Sequence, residues 1–92
     1  MTTNAVCIKI DPEGVVHALR QEAVEKVNGA EGEVVVDFSA VLRIDASGVR
    51  AMEDLAGVAT ERSVKVVLRA VNPDIYKVLK LLKLTEWFSF VT

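Results

Sequence analysis

The sequence predicts an α/β fold, with an open, largely parallel or mixed sheet of about four strands and about three helices packed on it. Three observations carry that expectation. Apolar runs of strand length alternate with amphipathic stretches of helix length, in the order β-α-β-α-β-α-β. Three consecutive valines, Val34, Val35 and Val36, suggest a strand buried on both faces, as in a parallel sheet. "NPD" at residues 72–74 reads as a helix start: an N-cap Asn, a Pro at the first helical position and an acid near the positive end of the dipole.

The elements follow in order. Residues 5–10 read as a strand, with Val6, Ile8 and Ile10 on one face and Lys9 on the other. "DPEG" turns the chain. From about residue 13 to 28, Val16, Leu19, Ala23 and Val27 recur at helical spacing, and Asn28 and Gly29 in "NGAEG" end that helix. Residues 33–38 form the valine-rich strand, 47–62 a helix and 64–68 the next strand. After "NPD", Ile75, Val78, Leu79 and Leu82 make a buried stripe. "WFSFV" closes the chain as a short strand or packed tail, with Trp87 and Phe88 in the core or at its rim.

Ninety-two residues suit one compact domain, 1–92, and a 51% hydrophobic composition can fill a core without disulfides or metal. With 26% charged residues and a formal charge of −2, the chain lacks the basic excess that binding to a phosphate backbone uses. Cys7 has no internal partner, and its apolar neighbours suggest a core thiol. "MTTNAVCIKI" shows no charged segment followed by a long apolar one, and no run approaches the ~20 residues of a membrane span. The expectation is a soluble cytoplasmic domain.

The stretch "DFSAVLRIDASGVRAMEDL", residues 37–55, is the most informative. It ends the valine strand, crosses a loop and opens a helix. Ligand and partner sites in parallel sheets favour the carboxyl ends of strands, where this loop lies. Ser47 falls in the first helical turn, among amides with no intrahelical partner. Those donors and the helix dipole accommodate an anion, so a phosphate on Ser47 would fit. It would add about −1.5 to −2 charge two residues from Asp45, enough to repel a partner while sparing the fold. Ser47, Arg50, Asp54, Gly57 and Glu61 share an outward stripe, and the flat glycine lets another helix approach. Val49, Met52, Ala56 and Ala59 point inward. Ordinary N-capping by Asp45 or Ser47 beneath a solvated face accounts for the same residues.

"VVVDFSAVLRIDASGV" resembles the signature of STAS domains, the anti-sigma factor antagonist fold: an apolar strand, Asp-Phe/Leu-Ser, an apolar loop, then Asp-Ser/Thr/Ala-Ser-Gly. The similarity runs on through "VKVVLRAVNP" and "VLKLLKLTEWF", roughly residues 33–91. It implies that Ser47 matches the serine phosphorylated by partner kinases, with Asp45 before it and Gly48 after it. Asp37 and Ser39 match the Asp and Ser at the end of the strand, and Arg50, Asp54 and Gly57 extend the partner-binding face. In such a switch the unphosphorylated antagonist binds an anti-sigma factor with serine kinase activity, and the phosphorylated form lets go. ATP and magnesium would belong to the kinase, so no cofactor or metal of this chain is implied. Two departures are visible. Ala46 stands where many antagonists carry a hydroxyl, and the chain passes from Ile10 almost directly into a helix where the family has a second, hairpin strand.

The resemblance also admits a non-sigma role. STAS domains serve as subunits of lipid-transport ABC systems, where the contact would be the transporter ATPase, as stressosome parts and as tails of anion transporters. A homodimer is a further arrangement left open at this point. Catalysis is not expected. A Ser47–His17–Asp triad can be written down, but His17 lies in the first helix beside Val15, Val16 and Leu19, with nothing to place it against Ser47. Asp37 and Asp45 are too sparse for a magnesium site, and "GAEG" lacks the Lys-Ser/Thr of a phosphate loop.

Overall fold

The structure, a computed structural model, describes residues 6–30 and 32–91. Strand β1 (Val6–Lys9) leads through the Asp11–Gly14 turn into a helix. The Asp11 carboxylate accepts from the Glu13 amide at 3.0 Å, and the Asp11 carbonyl accepts from the Gly14 amide at 3.0 Å. That local bonding is what an Asp-Pro turn offers. The first helix, residues 15–29, is α1 (Val15–His17), a π-helical segment (Ala18–Ala23) and α2 (Val24–Gly29) in one continuous run. Leu19, Ala23 and Val27 are buried along it and Val16 is half-buried.

Strand β2 (Glu33–Asp37) precedes α3 (Ala46–Arg62), β3 (Lys65–Arg69), α4 (Pro73–Leu81), a 3₁₀ turn (Leu84–Glu86) and β4 (Ser89–Val91). Ser63 ends α3 in the left-handed conformation, φ 58°, its amide donating to the carbonyls of Ala59 and Thr60. Asn72 caps α4 and Pro73 opens it, so the "NPD" signal reports a true start.

All four strands are parallel and lie in the order β1-β2-β3-β4. A strand order that never reverses, joined by right-handed crossovers, puts every helix on the same face of the sheet. Burial agrees. Ile8, Ile10, Val34, Val36, Phe38, Val66 and Leu68 join Leu19, Met52, Leu55, Ile75 and Leu79 in one core, each such side chain contributing about 1.5–3 kcal/mol.

The other face carries no helix, and two expectations fail on it. The register aligns Cys7, Val35, Val67 and Ser89 there. Val35 is therefore only half-buried, so the valine run does not mark burial on both faces. Cys7 is exposed, because strand alternation at a sheet edge turns it away from Ile8. Of these four residues only Val67 is buried.

Two further side chains lie further out than expected. Leu82 is 49% exposed at the end of α4, although Ile75 and Leu79 of its stripe are buried and Val78 is half-buried. Trp87 is 53% exposed while Phe88 enters the core. Residue 5, expected in the first strand, and the side chain of Val6 lie outside the described residues.

Candidate functional site

The loop from β2 to α3 is held at three points. At its start, the Asp37 carboxylate accepts from the Ser39 amide at 2.7 Å. That bond is the main reason its carboxyl is held below the usual range. The Ser39 hydroxyl adds to the effect, burial opposes it, and the Arg69 and Lys9 charges assist. Both cations are Asp37's register partners on β3 and β1. In the middle, the Phe38 amide donates to the Arg69 carbonyl at 2.8 Å and the Val41 side chain is buried. The Asn72 side-chain amide also donates to the carbonyls of Leu42, at 2.9 Å, and Val41, at 3.3 Å. At its end, Asp45 caps α3, its carboxylate accepting from the Gly48 amide at 2.9 Å.

That cap settles the geometry around Ser47. Asp45 takes the amide of Gly48 and leaves Ser47, the second helical residue, exposed and with its hydroxyl in no hydrogen bond among the described residues. Gly48 is buried, and a Cβ there would lie 2.6 Å from Ile44 Cγ1. Glycine is thus required by the close approach of the loop to the helix's first turn. The capping reading is correct for Asp45, which frees Ser47 for another role.

Arg50, Asp54 and Gly57 are exposed along α3, as their spacing implies. They are not equivalent. Asp54 is bonded to Arg20 of the first helix, Nη1 to Oδ2 at 2.9 Å, with both side chains about half exposed. Arg50 makes no ion pair among the described residues, and a Cβ on Gly57 would meet nothing within 4 Å.

The sequence reading missed a neighbour. A recess of about 620 Å3 has the β1–α1 turn on one wall, with Glu13 and His17, and Arg43, Ile44 and Asp45 on the other. His17 therefore stands across a surface recess from the Asp45 cap, although no hydrogen bond joins them. Only the sheet order could have revealed this, since β1 and β2 are adjacent and their carboxyl-end loops must meet. Nor did the sequence show that Asn72 would bond the β2–α3 loop as well as cap its own helix. Among the described residues, no three His, Cys, Asp or Glu side chains gather as a metal site, and no helix is long and apolar enough to cross a membrane.

Comparison with known proteins agrees with this architecture. The family model described as Mlab, STAS domain, matches residues 10–92, and the chain belongs to the STAS domain family. No curated protein is matched. Two solved structures share the fold. One, from Thermotoga maritima and assigned provisionally as an anti-sigma factor antagonist, is 17% identical with a TM-score of 0.71, covering 100% of this chain and 77% of that one. The other, an anti-sigma-factor antagonist (STAS) domain protein from Planctomyces limnophilus, is 16% identical with a TM-score of 0.77, covering 96% of this chain and 83% of that one.

Proposed function

We propose that this domain is a regulatory protein-interaction module of the anti-sigma factor antagonist type, switched by phosphorylation of Ser47 by a partner kinase. One observation carries the reading: Ser47 is exposed, with its hydroxyl in no hydrogen bond among the described residues, in the first turn of a helix whose cap is already made by Asp45. A kinase can reach it without unfolding anything. The phosphate adds about −1.5 to −2 charge beside the Asp45 carboxylate, and the partner meets that charge at the contact surface. The docking face comprises Ser47, Arg50 and the recess formed by His17, Arg43 and Asp45, with Asp37 and Ser39 fixing the start of the loop.

The test is mass spectrometry after incubation with a serine kinase of the anti-sigma factor type, ATP and magnesium. A single phosphate on Ser47 is expected. Ser47→Ala keeps the fold and binds the partner constitutively, Ser47→Asp weakens binding, and Arg50→Glu weakens it without altering stability. Phosphate on Thr60, Ser63 or Thr85 instead, or none, sinks the switch. That outcome favours the second reading, a subunit of a lipid-transport ABC system or stressosome-type assembly whose contacts do not depend on phosphorylation. Its support is that β1 runs directly into the Asp11–Gly14 turn, with no second strand among the described residues before the first helix.

A further inference from the structure

Arg50 stands three residues after Ser47 in α3, and both residues are exposed. Residues three apart in a helix share a face, with about 5–6 Å between their Cβ atoms. The acids nearest in sequence are placed so that none of them holds Arg50. Asp54, four residues on, is bonded instead to Arg20 of the first helix at 2.9 Å. Asp45, on the opposite side, gives its carboxylate to the Gly48 amide at 2.9 Å. Glu53 is exposed three residues beyond Arg50, yet the two form no ion pair. A cation in no ion pair among the described residues thus lies one helical turn from the Ser47 hydroxyl.

We propose that Arg50 is the internal receptor for a phosphate on Ser47, its guanidinium clamping the phosphorylated side chain along the face of α3. The clamp rests on the Ser47 reading and adds what becomes of the phosphate. Transfer of the γ-phosphoryl group of ATP to Ser47 Oγ forms the ester bond and breaks the bond to the β-phosphate oxygen. ADP leaves, and the hydroxyl gives up its proton. The new group carries three acceptor oxygens and about −1.5 to −2 charge. A guanidinium donates two parallel hydrogen bonds to such a group, which the point charge of a lysine does not match.

Direction along the helix favours this pair over its competitor. An acid N-terminal to its base is the better order, because it agrees with the helix dipole. Ser47 and Arg50 satisfy that order once Ser47 carries phosphate, whereas Arg50 and Glu53 run the other way. The phosphate also carries more charge than the Glu53 carboxylate. Asp45 repels it from the cap side. Arg43 is the other nearby cation, but it belongs to the entry loop and lines the recess with Glu13, His17 and Asp45. Phosphorylation therefore changes the docking face twice, by adding an anion and by withdrawing Arg50 from a partner.

Phosphoserine installed at position 47 during synthesis, by suppression of an amber codon, tests the clamp in the full chain without a kinase. Phosphorus-31 NMR follows the second ionisation of the phosphate, whose ordinary pKa is about 6. Arg50→Gln is expected to raise that value by at least about 0.5, since an adjacent cation favours the doubly charged form. Arg50→Lys restores part of the difference, and Arg43→Gln has the smaller effect. The Arg50 Nε–H signal is also expected to exchange with water more slowly in the phosphorylated protein than in the unmodified one. Circular dichroism checks that each variant stays folded, as substitution of an exposed residue should allow. A phosphate indifferent to Arg50→Gln overturns the proposal, as does one that responds to Arg43→Gln more strongly. An Nε–H signal that exchanges equally fast in both forms overturns it too. Because no kinase takes part, these outcomes are independent of whether a kinase modifies Ser47.

Discussion

Asn72 ties the loop that carries the candidate site to the helix it caps: its Nδ2 donates to the Leu42 carbonyl at 2.9 Å while its Oδ1 accepts from the Ile75 amide at 2.9 Å. One side chain thus serves two elements that lie far apart in sequence. Asn72→Asp keeps the acceptor that caps α4, since Asp and Asn cap about equally well, but cannot donate to the loop. Losing that bond costs about 1–2 kcal/mol and should speed amide exchange in residues 39–44 while leaving α4 protected. Asn72→Ala should also expose the first turn of α4. Equal exchange patterns in the two variants would show that the loop is held by something else.

Val35 and Val36 are adjacent, yet they face different environments, and substitution by aspartate separates them. Val36 is fully buried under the helices, so Val36→Asp strands a carboxylate in the core and costs several kcal/mol, on the order of 3–5, or abolishes folding. Val35 lies half-buried on the open face, where water and the neighbouring strands' lysines can reach a carboxylate. Val35→Asp should cost less than half as much. Urea denaturation of the two variants decides it, and equal losses would mean that something covers the open face.

That contrast shows what the sequence could and could not reveal. Periodicity placed the first three strands and the first two long helices to within about two residues, and the Asn72–Asp74 signal was unambiguous because three separate helix-start preferences coincide there. The Asp45–Gly48 turn was legible for a similar reason, since capping is local chemistry. Strand order is not local. Nothing near Val35 or Cys7 records that every crossover falls on one face, so burial on both faces was inferred where only one is covered. The same ignorance hid the meeting of His17 with Arg43 and Asp45. It also hid Asp54's attachment to Arg20, which depends on which helix α3 packs against.

Asp37 gives the fold an acid-sensitive point. Its folded pKa lies below the ordinary aspartate value, chiefly because the Ser39 amide bonds the ionised form. A carboxyl lowered on folding contributes stability that is fully present above its unfolded pKa, about 3.9, and is lost as pH falls through the folded value. Asp37→Asn should therefore be less stable than the wild type from pH 5 to 7, by an amount that does not vary over about that range. The difference should shrink once the pH drops below about 4. Denaturation midpoints across this range test it, and a gap unchanged down to about pH 2 would show that the Ser39 bond does not favour the charged form.

Two glycines of α3 should respond to alanine with opposite signs. Within a helix, glycine is less favourable than alanine by about 0.5–1 kcal/mol, and Gly57 has open space where a Cβ would go. Gly57→Ala should raise stability by about that amount. Gly48 sits in the same helix, but its Cβ would meet Ile44 Cγ1 at 2.6 Å, an atom near the backbone that cannot swing away like a side-chain tip. Gly48→Ala should therefore cost about 1–3 kcal/mol as overpacking, outweighing the helix preference. Pairing it with Ile44→Ala removes the obstructing atom, so the double variant should lose less than the sum of the two single losses. Additive losses in thermal or urea unfolding would mean that Ile44 does not set the requirement for glycine beside Ser47.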